Sequence, residues 1–224
     1  MSQIKNFIFI VFILISITAF AQKAIDEDPE LVQNNINYRI AQSQTELENF
    51  NYYKAKVNLD EALEIADKAD NKKILGIIYA KKGRLELIFE ELDKAIKSLN
   101  KAIEIQRIIN DNVNLGSSYK TFGDIYLAKE DYYSALDSYT AAKSKFEEED
   151  LNEELAETLL CEGKTYKALK NYKKAKENLE NGLDFVIEDL KLEANFYEQL
   201  VISCEFLNDL KAKQLYASKL KQIK

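Results

Sequence analysis

The chain has 224 residues, 38 of them acidic and 31 basic, with a net charge of −7 and no histidine. Lacking histidine, it lacks the commonest general base and the commonest transition-metal ligand, and its acidic balance opposes nucleic-acid binding because phosphates repel it. One proline and six glycines are too few for a turn-rich β fold, so the composition points to an all-α chain.

The first element is MSQIKNFIFIVFILISITAFAQ. Lys5 gives a positive start, Phe7 to Phe20 is an almost unbroken apolar run, and Ala19-Phe20-Ala21 is a small-x-small site. This is the pattern of a secretory signal peptide cleaved after Ala21. An uncleaved anchor is the alternative, although the run falls short of the about 20 residues that a bilayer needs. The expected location is therefore periplasmic or secreted, and no later stretch is apolar enough to hold the cleaved chain in a membrane. Residues 22–28 read as a loose leader. In "DEDPEL", Asp28 reads as an N-cap, Pro29 as the first helical residue, and Glu30 as an acidic complement to the positive helix end.

From residue 29 the chain repeats itself every 40 residues. Gly83, Gly123 and Gly163 share one position, with Ser43 in the first copy. Four residues earlier stand Tyr79, Tyr119 and Leu159, with Arg39 as the poor match. Small residues recur at Ala55, Ala95, Ala135 and Ala175, and again at Ala62, Ala102, Ala142 and Gly182. Between them lie the large residues Leu59, Leu99, Tyr139 and Leu179. The i, i+4, i+7 spacing is helical, and each copy splits into two helices at short polar breaks. Those breaks are Asn49 to Asn51, Glu90-Glu91, Glu130-Asp131 and Lys170-Asn171 within copies. Asp70-Asn71, Asn110 to Asn112 and Asp150 to Asn152 separate the copies. Asp and Asn suit these places because their side chains cap the orphan amides of the next helix. The glycines should face the alanines of the second helices, where only small side chains allow close approach. The last stretch, from residue 190, reads as a degenerate fifth pair with its turn at Leu207-Asn208-Asp209 and a lysine-rich final helix. The copies are expected near 29–70, 71–110, 111–150, 151–189 and 190–224. A helix pair cannot bury its apolar surface alone, so the pairs must stack.

Gly123, Tyr126, Ala135, Tyr139 and Ala142, with Tyr119 at the signature tryptophan, resemble the tetratricopeptide repeat. Gly163, Tyr166, Ala175 and Leu179 match the same pattern, while Glu46 and Glu86 replace the tyrosine in the first two copies. The 40-residue period resembles the longer-helix variety of kinesin light chains and bacterial signalling proteins. The resemblance implies a right-handed superhelical solenoid of about five antiparallel helix pairs, with the first helices lining a groove that holds a peptide or protein.

No catalytic constellation is present. The serines have no histidine to activate them, and there is no phosphate loop, Cys-x-x-Cys or calcium loop, so neither an enzyme nor a bound cofactor or metal is expected. Cys161 and Cys204 read as two small buried residues, with a Cys161–Cys204 bridge as the alternative. The groove row should hold the residue three before each repeat glycine, the one after it and the one four after it. Its charged and amide positions are Gln44, Arg84, Lys120, Asp124, Lys164 and Lys167. In an acidic protein this is a mildly basic row with Asp124 opposing, suited to an acidic or carboxylate-ended peptide, and ordinary surface charge is the alternative. Two readings follow: an exported adaptor that binds protein, or a sensory module that acts through a separate membrane or output partner.

Overall fold

The computed structural model describes residues 28–223. The signal segment and all but the last residue of the leader lie outside the described residues. No described helix is long and apolar enough to cross a membrane. The chain divides into two compact units, one up to Asn71 and one from Lys72 onward.

The first unit is one helix pair, α1 (Pro29–Glu48) and α2 (Tyr52–Lys68). Asp28 caps α1 as its sequence suggests, its carboxylate accepting from the amide of Glu30 at 2.9 Å. Arg39, the poor match to the tyrosine position, forms an ion pair with Glu61 on α2. Its charge takes the place of aromatic packing in this copy. Ser43, at the glycine position, is buried with its hydroxyl unpartnered.

The second unit holds four pairs. They are α3 (Lys72–Ile88) with α4 (Leu92–Ile108), α5 (Asn112–Ala128) with α6 (Tyr132–Glu148), α7 (Asn152–Ala168) with α8 (Tyr172–Leu183), and α9 (Leu190–Phe206) with α10 (Leu210–Ile223). Each helix packs on the next, and the first helices also touch one another, α3 on α5, α5 on α7 and α7 on α9. This is the stack of antiparallel pairs that the period demands, and no strand occurs among the described residues.

The glycines do face the second helices, but the residue they admit is the large one between the alanines. A Cβ at Gly123 would lie 2.4 Å from Cε1 of Tyr139. At Gly83 and Gly163 it would lie 2.6 Å from Cγ of Leu99 and of Leu179. The alanines contribute backbone instead: the Ala95 carbonyl lies 3.3 Å from the same point at Gly83. The large residue therefore lies flat in the space a side chain would fill, and Leu99, Tyr139 and Leu179 are wholly buried. Each such side chain is worth about 1.5–3 kcal/mol of hydrophobic stabilisation.

Every turn uses the same device. Phe50, Asp70, Glu90, Asn110, Glu130, Asp150 and Lys170 take left-handed φ values of 47–58° at a spacing of 20 residues. At one of them, the Asp131 amide donates to the Tyr126 carbonyl at 2.9 Å and the Glu130 amide to Leu127 at 3.0 Å. That double bond pattern closes a helix with a left-handed residue. Capping by the next side chain is less uniform than the sequence suggests. Asp111, Asp131, Asn171, Asp189 and Asp209 each accept an amide two or three residues into the next helix, but Asn51 makes no such bond.

The 40-residue register fails after Gly182. The ring of Phe196 occupies the place of the missing methyl, 2.4 Å from where a Cβ at Gly182 would stand. α8 ends at Leu183, and residues 184–189 lead into α9 without helix. Phe196 then joins Leu160, Leu179, Leu200 and Cys204 in the core of the last pairs.

Not one of the left-handed residues is a glycine, although a left-handed L-residue costs about 1–2 kcal/mol. Glu130→Gly should therefore raise stability by about 0.5–1 kcal/mol, after the extra unfolded-state entropy of glycine is subtracted. Urea unfolding monitored by circular dichroism checks this, and an unchanged or lowered midpoint contradicts it.

Candidate functional site

The residues after the repeat glycines lie on one stripe of the first helices. Stepping back from Asp124 by three or four residues gives Thr121 and Lys120, then Ser117, then Asn114. The same offsets give Lys81 with Arg84 on α3, and Glu154 with Glu157 on α7. These side chains line one cleft of about 350 Å³. α3 supplies a basic wall, α7 an acidic wall, and α5 the polar floor between them.

Arg84, Lys120 and Asp124 of the expected row all line this cleft. Arg84 is exposed and makes no ion pair among the described residues. Lys120 pairs with Glu157 across α5 and α7. Asp124 is half-buried and accepts a 2.7 Å hydrogen bond from the hydroxyl of Tyr139 on α6. Burial pushes the Asp124 carboxyl above its ordinary range. The Tyr139 bond and the charges of Lys120, Arg84 and Lys164 pull the other way without cancelling it. The Tyr139 phenol is raised in turn, by burial first and then by Asp124.

Lys164 stands close enough to act on both Asp124 and the Cys161 thiol. Lys167 is hydrogen-bonded to the side chain of Gln199 on α9. Burial, and then Lys164, hold its ammonium below the usual lysine range. Gln44 belongs to the first unit, where its amide donates to Glu48 at 3.3 Å. Leu160, expected on the groove face, is a core residue beside Phe196. Sequence reasoning missed Lys81, Asn114, Ser117, Thr121, Glu154 and Glu157. Their signal was the same stripe continued toward each helix N-terminus, and with Glu154 and Glu157 included the cleft is charge-divided rather than basic.

The glutamate that replaces the repeat tyrosine in the second copy makes a contact of its own. Where Glu86 stands at that position, its carboxylate accepts from Ser98 on α4 at 2.6 Å. Cys161 and Cys204 are both free. Burial and the Asp124 charge push the Cys161 thiol up to about 12, with Lys120 and Lys164 opposing. It therefore stays a thiol at neutral pH and is no nucleophile. Among the described residues, no group of three or more Cys, Asp or Glu is placed to hold a metal ion.

Two of these helix pairs match the tetratricopeptide repeat. The model of that family matches residues 76–108 and 156–184, which cover the α3–α4 and α7–α8 pairs, and the 40-residue register carries the same pattern through α5–α6. The chain thus carries tetratricopeptide repeats in those two pairs. It is 30% identical over 125 residues to the transcriptional activator NprA of Geobacillus stearothermophilus, a match spanning 56% of this chain and 29% of that protein. In fold it is similar to BtubC (BKLC) from P. vanneervenii, with a TM-score of 0.78 at 17% identity over 92% of this chain and 85% of that one. It is also similar to aspartyl phosphate phosphatase F from Bacillus subtilis, with a TM-score of 0.77 at 15% identity over 92% and 55% of the two chains.

Asp124→Asn keeps an acceptor for Tyr139 and removes the buried charge. Because the folded carboxyl is raised, the stability it lends is complete below the ordinary carboxylate range and lost as pH rises through the raised value. The Asn variant should therefore gain on the native chain as pH rises from about 3 to neutrality. Thermal melts across that range measure the gain, and a constant difference in Tm contradicts the assignment.

Proposed function

We propose that the chain is an exported, non-enzymatic interaction scaffold that captures a peptide or protein partner on its row of first helices. The observation that carries this reading is the cleft on α3, α5 and α7. Lys81 and Arg84 on one wall and Glu154 on the other make no ion pair among the described residues. Lys81 and Glu154 are half-buried, so desolvation penalises their charges and no ion pair offsets it, while Arg84 stands exposed beside them. They suit a surface whose complement arrives with a ligand. Export rests on Lys5, the apolar run from Phe7 to Phe20, and Ala19-Phe20-Ala21.

A second reading is a regulatory module that acts through a separate membrane or output partner. The 30% identity to a protein named a transcriptional activator favours it. Both readings use the same surface and differ in what the captured partner does. The fold likeness to a phosphatase, at 15% identity, carries no activity with it.

Two measurements test the proposal. Arg84→Glu with Lys164→Glu should cut recovery of crosslinked partners severalfold while leaving helicity intact. Lys120 is left alone because its reversal would set a carboxylate against Glu157. Equal recovery by native and reversed chains sinks the reading. Separately, N-terminal sequencing of the protein recovered from its producing cell should begin at Gln22, and a chain beginning at Met1 rules out the cleaved export signal.

A further inference from the structure

We propose that the cleft on α3, α5 and α7 recognises a peptide segment bearing one acidic and one basic side chain, the acidic one at Lys81 and Arg84 and the basic one at Glu154 and Glu157. This rests on the proposed capture of a peptide by the first helices and names what that peptide must carry.

The two walls hold opposite charges that do not meet. No ion pair joins Lys81 or Arg84 to Glu154 or Glu157, and the Glu154 carboxylate has no ion-pair partner among the described residues. Only the middle of the cleft is bridged, by Lys120 and Glu157. Lys81 is half-buried, and its ammonium is held below the usual range by burial first and then by Arg84. Two cations crowded together, and out of contact with the anions that face them, are complemented by an anion lying between them. The acidic wall calls equally for a cation. A ligand supplying both gains at each wall, whereas a purely acidic one gains at α3 and is repelled at α7.

The floor fits this division. Ser117 and Thr121 spend their hydroxyls on their own helix, donating to the carbonyls of Val113 and Ser117 at 3.2 and 3.0 Å. Asp124 is already occupied by Tyr139. Charge discrimination is thus left to the walls. A volume of about 350 Å³ lies at the small end of ligand pockets, which run from about 300 to 1,000 Å³. It holds a few side chains of an extended segment, and not a folded domain.

The full chain is immobilised and offered four pools of octapeptides with uncharged randomised positions. The fixed residues are one Glu and one Arg, two Glu, two Arg, or none, and retained peptide is quantified by mass spectrometry. The mixed pool should be retained about tenfold over each of the others, a difference equivalent to about 1.4 kcal/mol. Arg84→Glu should move the preference to the two-Arg pool. Glu154→Lys with Glu157→Lys should move it to the two-Glu pool, and so, more weakly, should Glu154→Lys alone, which leaves the Lys120 pair intact. The inference is overturned, with peptide capture still standing, if the two-Glu pool is retained best by the native chain. The same holds if all pools are retained alike, or if the preference survives the wall reversals. Retention of every pool at the level of bare resin overturns both the inference and the peptide reading.

Discussion

The structure depends on how closely two antiparallel helices approach at one point per pair. On the first helix that point is a glycine, Gly83, Gly123 or Gly163, and on the second it is a large side chain laid against it. A methyl group there would overlap the opposing side chain, so glycine is present for space and not for backbone freedom, since each of these residues is helical. The entropic cost of glycine inside a helix is about 0.5–1 kcal/mol. Burying a leucine or tyrosine against it returns about 1.5–3 kcal/mol. The exchange is favourable in each of the three glycine copies, which is why the same contact can be repeated from one to the next.

One copy makes this contact differently. Where two neighbours place leucine against the glycine, α6 places Tyr139, and its hydroxyl passes the glycine to reach Asp124. A packing residue is thereby joined to the floor of the cleft. The bond holds Asp124 half-buried among Lys120, Arg84 and Lys164, where a free carboxylate would pair with one of the lysines or turn to water. In the α5–α6 pair the packing residue itself thus reaches the cleft floor, whereas in the leucine copies the first helix supplies a cleft wall and the leucine only packs.

Repetition also explains the distribution of charge. Residues that face a partner helix are constrained by its shape and recur at 40-residue intervals. Residues on the open stripe, Asp124 with its bond to Tyr139 apart, are not held by such a fit and are free to differ. Within the cleft α3 contributes basic residues, α5 both signs and α7 acidic ones, so the cleft carries a gradient that no single repeat contains. The turns are uniform for the opposite reason. A left-handed residue followed by the next helix fixes the angle between elements, and each turn must repeat it for the stack to continue.

Most of the helices and turns were legible in the sequence, because they follow from local forces and from a period that survives four copies, although the end of α8 at Leu183 was not. The polar breaks, Pro29 behind Asp28 and the turn at Leu207 to Asp209 mark helix ends through capping and backbone geometry, which act over a few residues. Half of the expected row, Arg84, Lys120 and Asp124, also converged, since a 3.6-residue period fixes which side chains share a face. Three things needed the tertiary structure. That the glycines meet Leu99, Tyr139 and Leu179 rather than alanines depends on the axial stagger of two helices, which the spacing within one helix does not contain. That Glu154 and Glu157 oppose Lys81 and Arg84 depends on how first helices from three pairs align side by side. That Gly182 meets the ring of Phe196 depends on how the following pair packs, the ring taking the volume that a methyl group fills in the other copies. Each is a contact between segments far apart in the chain, and its geometry is set by packing and not by any local pattern.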